Sequence, residues 1–253
     1  MEIKAKNEDI TMKLKKSEVL VLRTCKDDMT SYNGFKWPRE GYVEAPDWQD
    51  DYKCGHGLHG LLWGEGDISY LNLLAKNWLI VKVDTTKGFC HGKDDMINKC
   101  KFRCGYVVYC GDRYGAIKLI QKYAPANSII NFAVQTAGDC STQTAGNEST
   151  QTAGDWSTQT AGDCSTQTAG YRSTQTAGYR SAQTAGDCST QTAGDKSMQR
   201  GGLQTVQIIR YFKNEWRVKT RIITEKEADK WYIFENEDWR LLTDEEIREN
   251  IKR

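Results

Sequence analysis

Cysteine and histidine crowd one stretch of the chain. Cys54 to Gly66 reads CGHGLHGLLWGEG, and Cys54, His56 and His59 are side-chain types that ligate zinc or pair as thiol nucleophile and base. This spacing fits zinc only if a fourth ligand comes from elsewhere, such as Cys90, His91, Cys100 or Cys104. Without a metal, the same residues make a glycine-rich turn with hydrogen-bonded histidines, and Leu58, Leu61, Leu62 and Trp63 enter a core. A thiol enzyme would draw on Cys54, His56, His59, Cys90 and His91. No local signature matches their spacing, so no catalytic residue, resident metal or cofactor is assigned.

The second set of chemical groups is hydroxyls on a strict period. From Ala137 to Arg200 eight consecutive octads follow A-G-x-x-S-T-Q-T, with Ser at the fifth position and Gln at the seventh in all eight. A fixed period means one structural unit, repeated and stacked, where a disordered linker would need none. Ser-Thr-Gln-Thr suits a short extended segment, and Ala-Gly with two variable residues suits a corner at which Gly takes positive φ. Side chains alternate along a strand, so the two Thr share one face and Ser and Gln the other. With Thr outward, the inward set of Ala, Ser and Gln is narrow enough for a thin solenoid in which Gln amides stack as ladders.

This wording resembles the central repeat of bacterial ice nucleation proteins, over 64 of the 253 residues. The resemblance implies a β-solenoid of 16-residue coils, two octads each, whose outward Thr-x-Thr rows order water into an ice-like layer. The partner so implied is ice or ordered water, and strong nucleation from a short array would need self-association through solenoid edges or ends. A second resemblance lies upstream. YNGFKWP, CGHGLHGLLWGEGD and VVYCGDRYGAIKLI are similar to an uncharacterised domain of bacterial and phage proteins.

The flanking elements must close and position the array. Residues 1–17 read as a polar arm and 18–126 as an α+β domain. In that domain EVLVLRTC (Glu18 to Cys25), WLIVKVD (Trp78 to Asp84) and Lys101 to Cys110 are strands, and Asp67 to Ala75 is a short helix. Phe35 to Trp48 is an ordered loop, and Asp112 caps a helix that runs to Ala124 before Pro125. The solenoid spans 129–208, counting degenerate octads ending AVQT and TVQI, which makes ten strands. Residues 209–253 form a cap of β-meander plus helix, opened by a Thr243/Glu246 capping box and running through Lys252, with Trp216, Trp231 and Trp239 as its core. The predicted fold is thus mainly β: a short octapeptide β-solenoid between an N-terminal α+β domain and a small β-rich cap.

A net charge of +1 argues against general nucleic-acid or membrane-surface binding. No apolar run is long enough to span a bilayer, and Met1 to Lys16 is too charged for a signal peptide, so a cytoplasmic location is the default expectation. The nine cysteines then favour reduced thiols.

Two coil geometries remain open. A 16-residue coil gives one unbroken Thr face of Thr142, Thr144, Thr158, Thr160, Thr174, Thr176, Thr190 and Thr192, while Ala182, Met198 and Arg200 interrupt the other. A 24-residue, three-sided coil would instead stack Cys140, Cys164 and Cys188. The resemblance and the narrow inward residues favour two sides. Functionally, a non-enzymatic water- or ice-ordering surface leads. A rigid spacer between partner-binding domains is the alternative, and a zinc or thiol enzyme displayed on a stalk is the second.

Overall fold

Alternating Val and Leu in Glu18–Cys25 (β1) and the run Asn77–Asp84 (β4) pair antiparallel along their whole length, from Glu18 opposite Asp84 to Cys25 opposite Asn77. A computed structural model describes residues 11–31 and 34–251. The first ten residues of the expected polar arm, part of the YNGFKWP motif and Lys252 lie outside them. The chain divides into two compact units, Met1–Ile130 and Asn131–Arg253.

In the first unit, β1 and β4 are joined by β2 (Gly41–Glu44), β3 (Leu58–Leu62), β5 (Phe89–His91), β6 (Cys100–Phe102) and β7 (Cys104–Gly111) in one seven-stranded sheet, ordered β2-β7-β4-β1-β3-β6-β5. Every pairing is antiparallel. Val21, Leu79, Val81, Phe102 and Val107 on one face pack with Trp37. The helix α1 (Arg113–Tyr123) buries Ala116, Ile117, Leu119 and Ile120, and Asp112 caps it by accepting from the Gly115 backbone N–H at 2.7 Å. Three local expectations differ from the structure. Asp67 to Ala75 holds only one 3-10 turn, Ile68–Tyr70, because Leu74 points away from the core at 93% exposure and gives a helix no buried face. The loop Phe35 to Trp48 contributes the strand β2. Arg103 splits the expected strand Lys101 to Cys110 into β6 and β7.

In the second unit, ten strands follow at the octad period. They are β8 (Val134–Thr136), β9 (Thr142–Thr144), β10 (Thr150–Thr152), β11 (Thr158–Thr160), β12 (Thr166–Thr168), β13 (Thr174–Thr176), β14 (Ala182–Ala185), β15 (Thr190–Gly194), β16 (Met198–Gly201) and β17 (Val206–Lys213). Thr150 pairs with Thr166 and Thr158 with Thr174, in parallel, which fixes the coil at two octads and 16 residues. Even- and odd-numbered strands therefore build two separate parallel sheets, and the three-sided geometry is excluded. Cys164 falls on the edge opposite Cys140 and Cys188, and all nine cysteines are free thiols.

Glutamine holds the sheets together. Each interior Gln donates one N–H to the Gln of the coil before, as Gln167 does to Gln151 at 2.9 Å, and the other to a backbone carbonyl of the opposite sheet, as Gln167 does to Thr176 at 3.0 Å. Its Oε1 accepts from the following coil, so a wholly buried amide is saturated. Ser side chains stack alongside: Ser165 Oγ accepts from the Ser149 backbone N–H at 3.2 Å and donates to the carbonyls of Gly146 and Asp163.

The corners differ from the sequence expectation. Positive φ lies at the variable fourth position, from Cys140 (φ 54°) through Glu148, Trp156, Cys164, Arg172, Arg180, Cys188 and Lys196 to Gln204 (φ 58°), and at no glycine of the octads. Glycine is required there for space. A Cβ on Gly154 would overlap Asp139 Oδ1, which accepts the Asp155 backbone N–H at 2.9 Å.

Beyond the repeat, β18 (Glu215–Ile222) pairs antiparallel with β17, while β19 (Trp231–Glu235) pairs with β16 and with β20 (Asp238–Leu241). One hairpin thus extends each solenoid sheet. The helix α2 (Asp244–Ile251) opens on the expected capping box, with Thr243 N donating to Glu246 Oε2 at 2.9 Å and Glu246 N to Thr243 Oγ1 at 3.3 Å. Trp216 is not core. It stands 71% exposed on the outer face of β18, because this hairpin is covered on one side only; Phe234, with Tyr211 and Trp239 against it, fills the interior.

Candidate functional site

The inward turn of Gln forces its two flanking Thr outward on every three-residue strand. On the sheet of β9, β11, β13 and β15, one column runs Thr142, Thr158, Thr174, Thr190 and the other Thr144, Thr160, Thr176, Thr192, in parallel register without a slip. Neighbouring rungs are about 4.8 Å apart and the two Thr of a rung about 7 Å apart. The first six are exposed and Thr190 and Thr192 half-buried. The columns then run on past the Thr residues to Val206 and Ile208 of β17, and by antiparallel pairing to Ile222 and Thr220 of β18. The degenerate octad ending TVQI signals the first of these steps; the second depends on the hairpin register, which the sequence does not state.

The opposite sheet carries Thr150, Thr152, Thr166 and Thr168 between less regular rungs. Val134 stands before them, Ala182 pairs beyond Thr166, and Met198 and Arg200 close the row, with Arg200 ion-paired to Asp229 at 3.5 Å.

The Thr columns thus form a regular array of methyls and hydroxyls on a backbone held by the Gln and Ser ladders. The chain is similar to bacterial ice nucleation proteins. It is 36% identical to one from Pseudomonas syringae over 104 residues, 33% identical to one from Pantoea ananas over 108, and 48% identical to one from Xanthomonas campestris pv. translucens over 109. These matches cover 41–43% of the chain but only 7–10% of the relatives, so the chain spans about a tenth or less of their length. Residues 19–122 match the model of a domain of unknown function, DUF7666. No solved structure matches the chain.

The cysteines and histidines of the first unit are dispersed by the fold. Cys54 is exposed, where its Sγ meets Lys99 Nζ at 3.0 Å. His56, at φ 47°, faces Asp47 at 3.7 Å. His59 lies on β3, where burial and then the charges of Lys99, Arg23 and Lys101 pull its pKa down to about 4, leaving a neutral imidazole near pH 7. Cys90 and Cys100 are buried thiols whose pKa burial pushes up, away from the nucleophilic thiolate; Cys100 Sγ donates to the Gly60 carbonyl at 3.3 Å. Among the described residues no group of three or more His, Cys, Asp or Glu could hold a metal ion. No helix of the described residues is long and apolar enough to cross a membrane.

Proposed function

We propose that the chain is a non-enzymatic water-ordering module and that the Thr columns of β9, β11, β13 and β15 are its ice-binding surface. The observation that carries the reading is the register. Eight hydroxyl-and-methyl groups repeat without interruption on a backbone whose every rung is locked by two Gln amide bonds and a Ser stack. Holding a water at a fixed position costs up to about 2 kcal/mol of ordering entropy, and a template that is already rigid adds no ordering cost of its own. Similarity to proteins named for ice nucleation supports the same reading.

The test is a droplet-freezing and ice-shaping assay on the whole chain and two folded variants. One carries Thr158, Thr160, Thr174 and Thr176 changed to Lys, and the other Thr150, Thr152, Thr166 and Thr168 changed to Lys. Circular dichroism checks that both retain the solenoid. Loss of activity in the first and retention in the second is expected. Equal loss in both would remove the assignment to one face. A wild-type chain without effect on ice would make the repeat a spacer.

A further inference from the structure

The first unit contains a cavity lined by residues that carry three polar atoms without a partner among the described residues. Its volume is about 490 Å³, and Arg23, Phe35, Trp37, Asp47, Leu58 and His59 line it. Among the described residues, Arg23 Nε, Trp37 Nε1 and His59 Nε2 are shut off from solvent without a hydrogen-bond partner. Such orphans are rare in native proteins, because a buried polar atom loses its bonds to water unless something replaces them. Three on residues lining one cavity is an arrangement that a bound molecule would resolve.

The sign of the charge narrows the ligand. The Arg23 guanidinium stacks 3.9 Å over the Trp37 ring, and its Nη1 donates to the His59 carbonyl at 3.0 Å. Burial lowers its pKa, and the groups that oppose this shift are the thiols of Cys25 and Cys100, with no carboxylate among them. Removing a guanidinium from water without a counter-ion is strongly unfavourable. Lys99 and Lys101 add positive field at His59. Asp47 is the one acid of the lining; it is exposed and faces His56 at 3.7 Å.

The cavity also has an apolar wall. Phe35 meets Trp37 edge-on at a centroid distance of 5.5 Å, and Leu58 is buried beside them. A guanidinium N–H and an indole N–H are two donors suited to one carboxylate, and Arg23, the one cation of the lining, balances one negative charge where a phosphate dianion would leave an excess. His59 Nε2 can accept from a ligand O–H or N–H, or donate once protonated.

We propose that this unit binds a small organic carboxylate, toward whose oxygens Arg23 Nε and Trp37 Nε1 turn on binding, with its apolar or aromatic body against Phe35 and Leu58. The site is independent of the Thr columns, so its test and theirs fail separately.

Indole N–H correlation spectra of the whole ¹⁵N-labelled chain test it, with the Trp37 peak assigned by its loss in Trp37→Phe. The probes are phenylacetate, its neutral isostere phenylacetamide, and inorganic phosphate. Phenylacetate is expected to move the Trp37 peak downfield saturably in the millimolar range or below, with phenylacetamide and phosphate leaving it in place. Arg23→Gln, with the other indole peaks unmoved, is expected to weaken phenylacetate by more than about tenfold. The proposal is overturned if no saturable shift occurs, if the amide binds as well as the acid, if phosphate binds in preference, or if the folded Arg23→Gln variant binds undiminished. Should that variant not fold, the comparison of acid with amide on the wild-type chain still decides.

Discussion

Arg221 ends one of the two glutamine ladders. Its Nε and Nη2 donate to Gln207 Oε1 at 2.8 and 2.6 Å, and its guanidinium lies 3.7 Å from the Tyr232 ring and 4.3 Å from the Trp239 ring. The other ladder ends on Gln199 Oε1, which is buried without a partner. A ladder of amides is a chain of aligned dipoles, so a cation at its open carbonyl end is well placed, and hydrogen bonds to charged groups contribute more than neutral ones. Arg221→Leu keeps much of the packing and removes the donors; it is expected to lower stability by about 2 kcal/mol in urea melts of the second unit. An unchanged melt would show that the ladder needs no charged end. The sequence offered little notice of this role, because Arg221 sits in an ordinary alternating strand and its contact with Gln207 depends on a hairpin register. Arg23 was equally silent: EVLVLRTC reads as a buried strand, and only the fold sets its guanidinium over Trp37.

At the scale of the element, the octad is legible where its chemistry is local and opaque where it depends on stacking. Strand, turn, outward Thr and inward Ala, Ser and Gln all follow from alternation and propensity. The coil length does not, since 16 and 24 residues both repeat the octad, and it took the Thr150 to Thr166 register to decide. The corner departs from the sequence expectation for a related reason. Positive φ ordinarily selects glycine, yet here it falls on Cys, Glu, Trp, Arg and Lys, while glycine clears room for the Asx side chain of the preceding coil. That division makes a sharp test. A Cβ on Gly138 meets nothing within 4 Å, whereas one on Gly154, at the same octad position a coil later, would strike Asp139. Gly138→Ala is therefore expected to leave the thermal midpoint within a degree or two, and Gly154→Ala to lower it by several degrees, the overpacking cost of about 1–3 kcal/mol. Equal effects would mean that conformation, not space, selects the glycine.

For the whole molecule, the two-sided coil turns repeat number into a design variable with a parity rule. Inserting 16 residues after Thr160 adds one strand to each sheet, so β17 still stacks on the β9–β15 sheet and Arg221 still meets Gln207. Inserting a single octad shifts every later strand to the opposite sheet. The β17–β18 hairpin would then have to extend the sheet that now receives β19, and β19 the sheet that now receives β17. The first insertion is expected to melt at or above the wild-type temperature, because nearest-neighbour stacking grows with each added unit, and the second well below it. The same pair bears on function. Under the proposed function a template stabilises an ice embryo in proportion to its own area, and the present Thr face has only four rungs, about 19 Å at the strand spacing. Inserting one and then two coils is therefore expected to raise the droplet-freezing temperature stepwise, provided the added rungs keep Thr at both columns. Added coils with Ser in place of the outward Thr would lengthen the solenoid equally without extending the methyl array. If the two series freeze alike, length alone acts, and the Thr columns are not the ordering surface.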